Sequence, residues 1–218
     1  MKSFAVIGCG RFGKSVARTL FSLGYEVMAL DSNEEIIQEI SDEVTHAVVV
    51  DVMNEVALKE LGLSNFDVVV VSIGSNTEAS IMATIIAKEL GVKKVIAKAT
   101  SDFQGKVLEK IGADKVIFPE RDMGVRVAHN LVSANILEFI ELSPDYGIIE
   151  ISAIRDWVGK SLYQLQLPNK HGINVMAIKR GNAITISPDG DTVIEQEDTL
   201  VIIANTAAIS KIERKAGN

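Results

Sequence analysis

Cysteine is almost absent: Cys9 stands alone among 218 residues. One thiol closes no intrachain disulfide and builds no cysteine-based metal cluster. Basic charge is also in short supply, with 22 Lys and Arg against 29 Asp and Glu, a net charge of −7. That argues against a general nucleic-acid binder, which needs a basic stripe. Long hydrophobic runs are missing too. VVVV at 68–71 and IMATIIA at 81–87 fall well short of the ~20 residues that a membrane helix requires. The start, MKSFAVIG, already reads as a strand and carries no signal-peptide pattern. We expect a soluble cytoplasmic protein whose membrane link, if it has one, runs through a partner.

What is present is apolar and periodic. Hydrophobic residues make up 47% of the chain, enough for one large domain or a medium and a small one. Six short runs rich in Val and Ile recur between residues 4 and 118: FAVIG, VMAL, AVVV, VVVVSI, VIAKA and VIF. They do not alternate with polar residues, as expected for strands buried on both faces of a parallel sheet. Helical patterns fall between them, near 11–23, 34–41, 54–61, 77–90 and 102–111. The alternation predicts an α/β, doubly wound parallel sheet over 1–118.

Pro119 then opens a predicted helix over 120–141, with Glu120 and Asp122 suiting its positive end. Met123, Val127, Leu131 and Ala134 form one apolar stripe. Val125, Ala128, Val132, Ile136 and Ile140 form another. A helix apolar on two faces packs against two things, so 119–144 reads as a crossover helix and linker that docks onto a second subunit. SPDYG at 143–147 is turn-rich. Beyond it, strands dominate at 148–154, 173–180, 183–187 and 199–204, with short helices at 159–165 and the last dozen residues. Residues 145–218 are thus a small α+β domain, marginal alone at that size and expected to dimerise.

The chemistry concentrates in GCGRFG. Gly8, Gly10 and Gly13 are spaced GxGxxG, directly after a strand and at a helix start. In such a loop the first glycine allows a tight turn, the second lets a phosphate approach the backbone, and the third lets helix and strand pack closely. Asp31 ends the second strand, where a carboxylate binds ribose hydroxyls and repels a 2′-phosphate. Asp51, Ile73-Gly74 and Lys98 end strands three, four and five, on the carboxyl edge where ligands of open α/β sheets bind. Asp51 also reads as a cap for the helix near 54. Arg11 fits a hydride-transfer enzyme poorly, because a guanidinium fork suits a terminal phosphate. Glu120 reads as a first-turn acid, but beside a polyphosphate it would need an intervening cation; oxygen ligands suit Mg2+ or Ca2+. Cys9 is a small side chain within the loop. His46, His129 and His171 show no metal-ligand spacing and read as structural or surface residues.

GxGRFG, HAVVVD, FDVVVVSIG, KVLEKIGADKVIFPERDMG and GINVMAIKRG together resemble the cytoplasmic regulatory subunits of bacterial Trk and Ktr potassium-uptake systems. These are RCK proteins, regulators of K+ conductance. The resemblance spans nearly the whole chain. It implies a Rossmann-like N-terminal domain, a small C-terminal domain and a homodimer assembling into an octameric ring under a membrane potassium-translocating subunit. ATP and ADP, and in some members NAD(H), would bind the Rossmann site. By motif, Gly8, Gly10, Arg11, Phe12 and Gly13 would hold phosphates, with Arg11 reaching the terminal one. Asp31 and Asp51, with the neighbouring Ser32, Asn33 and Val52, would hold ribose and adenine. Glu120 would bind a cation between opposed nucleotides. Cyclic di-AMP would bind within Leu162–Pro188, at Asn174, Val175 and Pro188. The basic residue that the resemblance places near Pro168 is not read there.

Two further readings stand beside this one. A small NAD-dependent oxidoreductase lacks support: Tyr25, Tyr146 and Tyr163 are followed four residues on by Ala29, Glu150 and Leu167, so no Tyr-x-x-x-Lys occurs. A nucleotide sensor of another cation transporter would share the same fold and site.

Overall fold

A computed structural model describes residues 2–132 and 136–216. The chain divides into two compact units, Met1–Glu120 and Arg121–Asn218. Unit 1 alternates strands and helices: β1 (Ser3–Ile7), α1 (Arg11–Ser22), β2 (Glu26–Asp31), α2 (Glu34–Ile40), β3 (His46–Val49) and α3 (Glu55–Glu60). It continues with β4 (Val68–Val71), α4 (Thr77–Glu89), β5 (Val95–Lys98), α5 (Asp102–Lys110) and β6 (Lys115–Ile117). The strands form one parallel sheet in the order β3-β2-β1-β4-β5-β6. The strand order reverses its progression between β1 and β4, which makes a switch point, where ligands of such sheets settle.

Both faces of this sheet are covered, which is why its strands lack polar alternation. Val6, Val27, Ala29 and Val70 pack with Ala17, Ile37 and Ile40 on one face. Ala5, Ile7, Leu30, Val69 and Val71 pack with Leu58, Ala83, Ile86 and Leu108 on the other. Four helices start on side-chain caps. Asn33, Asn54, Asn76 and Ser101 accept from backbone N–H groups one or two positions inside α2, α3, α4 and α5. Each of these helices also carries an acid in its first turn, favourable at the positive helix end.

The long predicted helix is shorter than expected. α6 runs Pro119–Val132, and Ile136–Ser143 is a strand, β7. β7 pairs antiparallel with β8 (Tyr146–Ser152), matching Phe139 to Ile149 and Ile140 to Ile148. SPDYG is therefore the turn of a hairpin, closed where Ser143 faces Tyr146, and not a linker. Apolar residues at 136, 139 and 140 fit either periodicity locally. Pairing with a whole strand overrides the helical pattern, and β-branched and aromatic residues favour the pleated surface. Ala134, on the first predicted stripe, lies outside the described residues. Met123, Val125, Val127 and Leu131 leave their side chains exposed on α6.

Unit 2 continues with α7 (Leu162–Leu165), α8 (Leu167–His171), β9 (Ile173–Arg180), β10 (Ala183–Ile186), β11 (Thr199–Asn205) and α9 (Thr206–Ala216). Its antiparallel sheet has the order β10-β9-β11-β8-β7. Along β8 and β11 buried and less buried residues alternate strictly, the mark of a sheet with one core face. Ile149, Ile151, Leu200 and Ile202 fill that core with Trp157, Leu167 and Ile209. α8 was not anticipated from the sequence; Pro168 in its first turn suits a helix start.

Candidate functional site

The loop from β1 to α1 lies at the carboxyl edge of the parallel sheet, and its three glycines have three different reasons to be there. Gly8 has φ +88°, and a Cβ on it would stand 2.8 Å from Ile73 Cγ1. Gly13 is crowded from within: its Cβ would stand 2.0 Å from the Gly8 carbonyl oxygen and 2.4 Å from Ser72 Oγ. The Ser72 hydroxyl donates to that same Gly8 carbonyl. At Gly10 a Cβ would meet nothing within 4 Å; the space is open toward a cavity.

α1 differs from the four helices that follow it. Its N-cap is Gly10, without a side-chain hydrogen bond, and its first turn holds no acid. The first N–H groups of a helix have no partner within the helix, and here the cap residue offers no side chain to supply one. A helix end of this kind is a site for phosphate.

The cavity above it has a volume of about 570 Å³. Gly8, Gly10, Arg11, Phe12, Asp31, Ser32, Asn33, Val52, Ile73, Gly74, Lys98 and Glu120 all line it. Two expected ligands do not. Gly13 is buried beneath the loop, where it serves packing. Asp51 stands outside the cavity: β3 already ends at Val49, and Asp51 Oδ1 accepts from Met53 N at 3.0 Å. Nor does Asp51 cap α3; Asn54 does. Sequence reasoning missed Ile36, Ser72, Ser75, Asn76, Ala79 and Thr100, which complete the lining. The available signals were weak: Ser72 is a small polar residue just after an all-Val strand, and Asn76 is an Asn before a helical run.

Asp31 does two things. Its Oδ2 accepts from Cys9 N at 2.7 Å and its Oδ1 from Asn33 N at 2.9 Å. It thereby ties the glycine loop to the end of β2. An ionised carboxylate has about four acceptor positions, so each oxygen keeps capacity for a ribose hydroxyl. Cys9 is fully buried, and burial first, then the Asp31 charge, pushes its thiol up to about 12. A buried thiol held protonated in this way has little thiolate character.

At the opposite wall, Lys98 Nζ donates to Glu120 Oε1 at 2.5 Å. The same Nζ lies 5.9 Å from the centroid of the Phe12 ring. The Lys98 side chain is 9% exposed and that of Glu120 67%. The Lys98 hydrogen bond, with smaller help from Arg11, holds the Glu120 carboxyl below the usual carboxylate range. Among the described residues, no three His, Cys, Asp or Glu side chains gather into a metal site. Glu120 offers one carboxylate, so a divalent cation there would need phosphates or a second copy to complete its oxygen ligands. The arrangement as a whole suits an anion at the α1 terminus and a diol near Asp31.

In unit 2, β9 carries Asn174 exposed and Val175 half-buried, and Pro188 follows β10. Ser187 N donates to Met176 O at 2.8 Å, so the hairpin brings Pro188 back alongside β9. A separate, shallow hollow is lined by Trp157, Lys160, Gln164, Lys170 and His171, among others. Lys170 and His171 lie in the last turn of α8. Basic side chains therefore do follow Pro168 closely, contrary to the sequence reading. His46 and His171 are exposed.

Known proteins resemble this chain in sequence and in fold. The TrkA-N domain family matches residues 4–119 and the TrkA-C domain family residues 148–217. The chain is 48% identical over 214 residues to Ktr system potassium uptake protein C of Bacillus subtilis, covering 98% of this chain and 97% of that one. It is 42% identical to Ktr system potassium uptake protein A of Vibrio alginolyticus, covering 93% and 92%. Among solved structures it resembles the GsuK RCK domain, with a TM-score of 0.68 at 15% identity. All of this chain aligns there, spanning 48% of that longer chain; at that identity the likeness concerns the fold. No described helix is long and apolar enough to cross a membrane. The chain belongs to the family of Ktr-type potassium-uptake RCK proteins, a TrkA-N domain followed by a TrkA-C domain.

Proposed function

We propose that this chain is the nucleotide-sensing regulatory subunit of a membrane potassium transporter. The observation that carries the reading is the bare N-terminus of α1, facing a cavity that also holds Arg11 and Lys98. Its relatives' names supply the potassium system. The ligand is an adenine nucleotide, ATP or ADP, with NAD(H) as a weaker occupant. Phosphates sit on the α1 N-terminus, ribose on Asp31, and Arg11 reaches the terminal phosphate. Glu120 is the residue that would hold Mg2+ or Ca2+ beside the phosphates. The chain binds and does not catalyse.

Gating follows from differential affinity. ATP and ADP bias the assembly between shapes only by as much as they bind those shapes differently. The exposed apolar residues of α6 support a dimer, and dimers close into an octameric ring at the cytoplasmic face of the membrane. Asn174, Val175 and Pro188 form a second site, for cyclic di-AMP.

Calorimetric titration with ATP, ADP, NADH, NADPH and cyclic di-AMP tests this, with and without Mg2+ or Ca2+. ATP and ADP should bind far tighter than NADPH, because Asp31 repels a 2′-phosphate. Arg11→Ala should weaken ATP more than ADP. Absence of adenine-nucleotide binding, or nucleotide-bound monomers in native mass measurement, would overturn the reading.

A further inference from the structure

We propose that Lys98 is a phosphate ligand held in reserve by Glu120, so that an arriving nucleotide and the carboxylate compete for one ammonium. This rests on the proposed function, and adds to it a residue and a route by which occupancy leaves the site.

Lys98 ends β5 with its side chain 91% buried. A buried charge without a partner is strongly disfavoured, so Lys98 needs a counter-ion in every state of the protein. Among the described residues Glu120 is the one that bonds it. An ammonium has three donors, so two remain.

The two partners are unequal. Glu120 is 67% exposed and can turn into water at small cost, whereas Lys98 is held where it is. Its Nζ is near Phe12, in the first turn of α1. A Cβ on Gly74 would stand 3.1 Å from that Nζ, so the ammonium is also packed against the loop after β4. A phosphate on the α1 N-terminus therefore arrives beside the ammonium and meets the Glu120 carboxylate as a like charge. With no divalent cation to bridge the carboxylate and the phosphate, the exchange that satisfies every group has Lys98 pass from carboxylate to phosphate and Glu120 move off. Glu120 is the second residue of α6 and the last residue of unit 1. Cation-free nucleotide binding thus releases the Glu120 side chain from β5, in the first turn of the helix on which the chain passes into unit 2.

The experiment uses the full chain in buffer with a chelator, so that no divalent cation contributes. ADP and ATP are titrated into the wild type, Glu120→Gln, Lys98→Gln and the double variant. Glu120→Gln should bind about fivefold tighter, since a like charge and a competitor are both removed. Lys98→Gln should bind about tenfold weaker or more. In the Lys98→Gln background the Glu120→Gln gain should vanish, and adenosine, without phosphate, should show no gain in any background. Amide exchange over residues 119–123 should quicken when ADP is added to the wild type.

The proposal is overturned if Glu120→Gln binds equally or more weakly in chelator. It is also overturned if the gain persists without Lys98, which would make it simple repulsion. Glu120 is exposed, so its variant folds and keeps the test decisive should Lys98→Gln be unstable. If the wild type binds no nucleotide, the proposed function itself falls; if it binds but Glu120→Gln gains nothing, only this inference does.

Discussion

Lys98 in unit 1 and Asp198 in unit 2 are both buried charges beside a strand end, and they are satisfied in opposite ways. Asp198 is 1% exposed and fully engaged. Arg180 donates to it from Nε at 2.7 Å and from Nη2 at 2.8 Å, and Glu195 N donates at 2.8 Å. Arg180 is itself fixed by Glu195 and the Val193 carbonyl. Among the described residues Lys98 has one bond, to a carboxylate that faces solvent. A saturated buried charge can only hold the fold together. A buried charge with donors to spare, at the wall of a cavity, is ready to take a ligand.

The glycine loop offers the largest effect that could break this division. Gly13→Ala should cost about 3 kcal/mol, because its Cβ has no room beside the Gly8 carbonyl. Gly10→Ala, with open space around it, should leave unit 1 about as stable, within ~1 kcal/mol, while weakening nucleotide binding. Thermal unfolding and titration separate the two. Equal destabilisation would mean that the loop has no division between packing and binding.

Next in size is Asp198→Asn, expected to cost unit 2 about 2 kcal/mol and to leave nucleotide affinity unchanged. Glu120→Gln should instead change nucleotide affinity, and should lower the melting temperature of unit 1 only until a nucleotide gives the buried Lys98 ammonium a new partner. The pH dependence sharpens this. The Arg180 hydrogen bond, first, lowers the Asp198 pKa below its ordinary value. Its stabilising contribution is therefore complete above the unfolded value, about 3.9, and is lost as pH falls through the lower folded value. Melting curves between pH 6 and pH 3 should fall less steeply for Asp198→Asn than for the wild type. Parallel curves would remove Asp198 from the scaffold.

The smallest effect concerns a third kind of buried group, one kept neutral. Cys9, its thiol pushed up to about 12, should not react with a thiol reagent at pH 8 until the chain unfolds. Fast reaction in the native protein would show the loop to be open.

Much of this was legible in the residues. The all-apolar strands and their spacing specified a parallel sheet, since a strand covered on both faces has no reason to alternate. Gly8, Gly10, Gly13 and Asp31 marked the site because each answers a local backbone or charge requirement. The failures were of one type. Residues 136–143 carry apolar positions compatible with helix and strand alike, and only the pairing of β7 with β8 decides between them. Asp51 looked like a strand-end ligand because the end of β3 could not be placed to within two residues. Ser72 and Thr100 are invisible as cavity-lining residues until the sheet sets them on the wall that Gly8 and Lys98 also line.

By itself, then, the sequence determined the fold class, the glycine-rich loop at the helix start and the charge types available, because these follow from periodicity and from chemistry within a few residues. Tertiary structure decided which charges meet. Lys98 and Glu120 are 22 residues apart, Arg180 and Asp198 are 18 apart, and no local rule pairs them. Packing alone buried Asp198 with both carboxylate oxygens engaged and buried Lys98 with a single partner among the described residues.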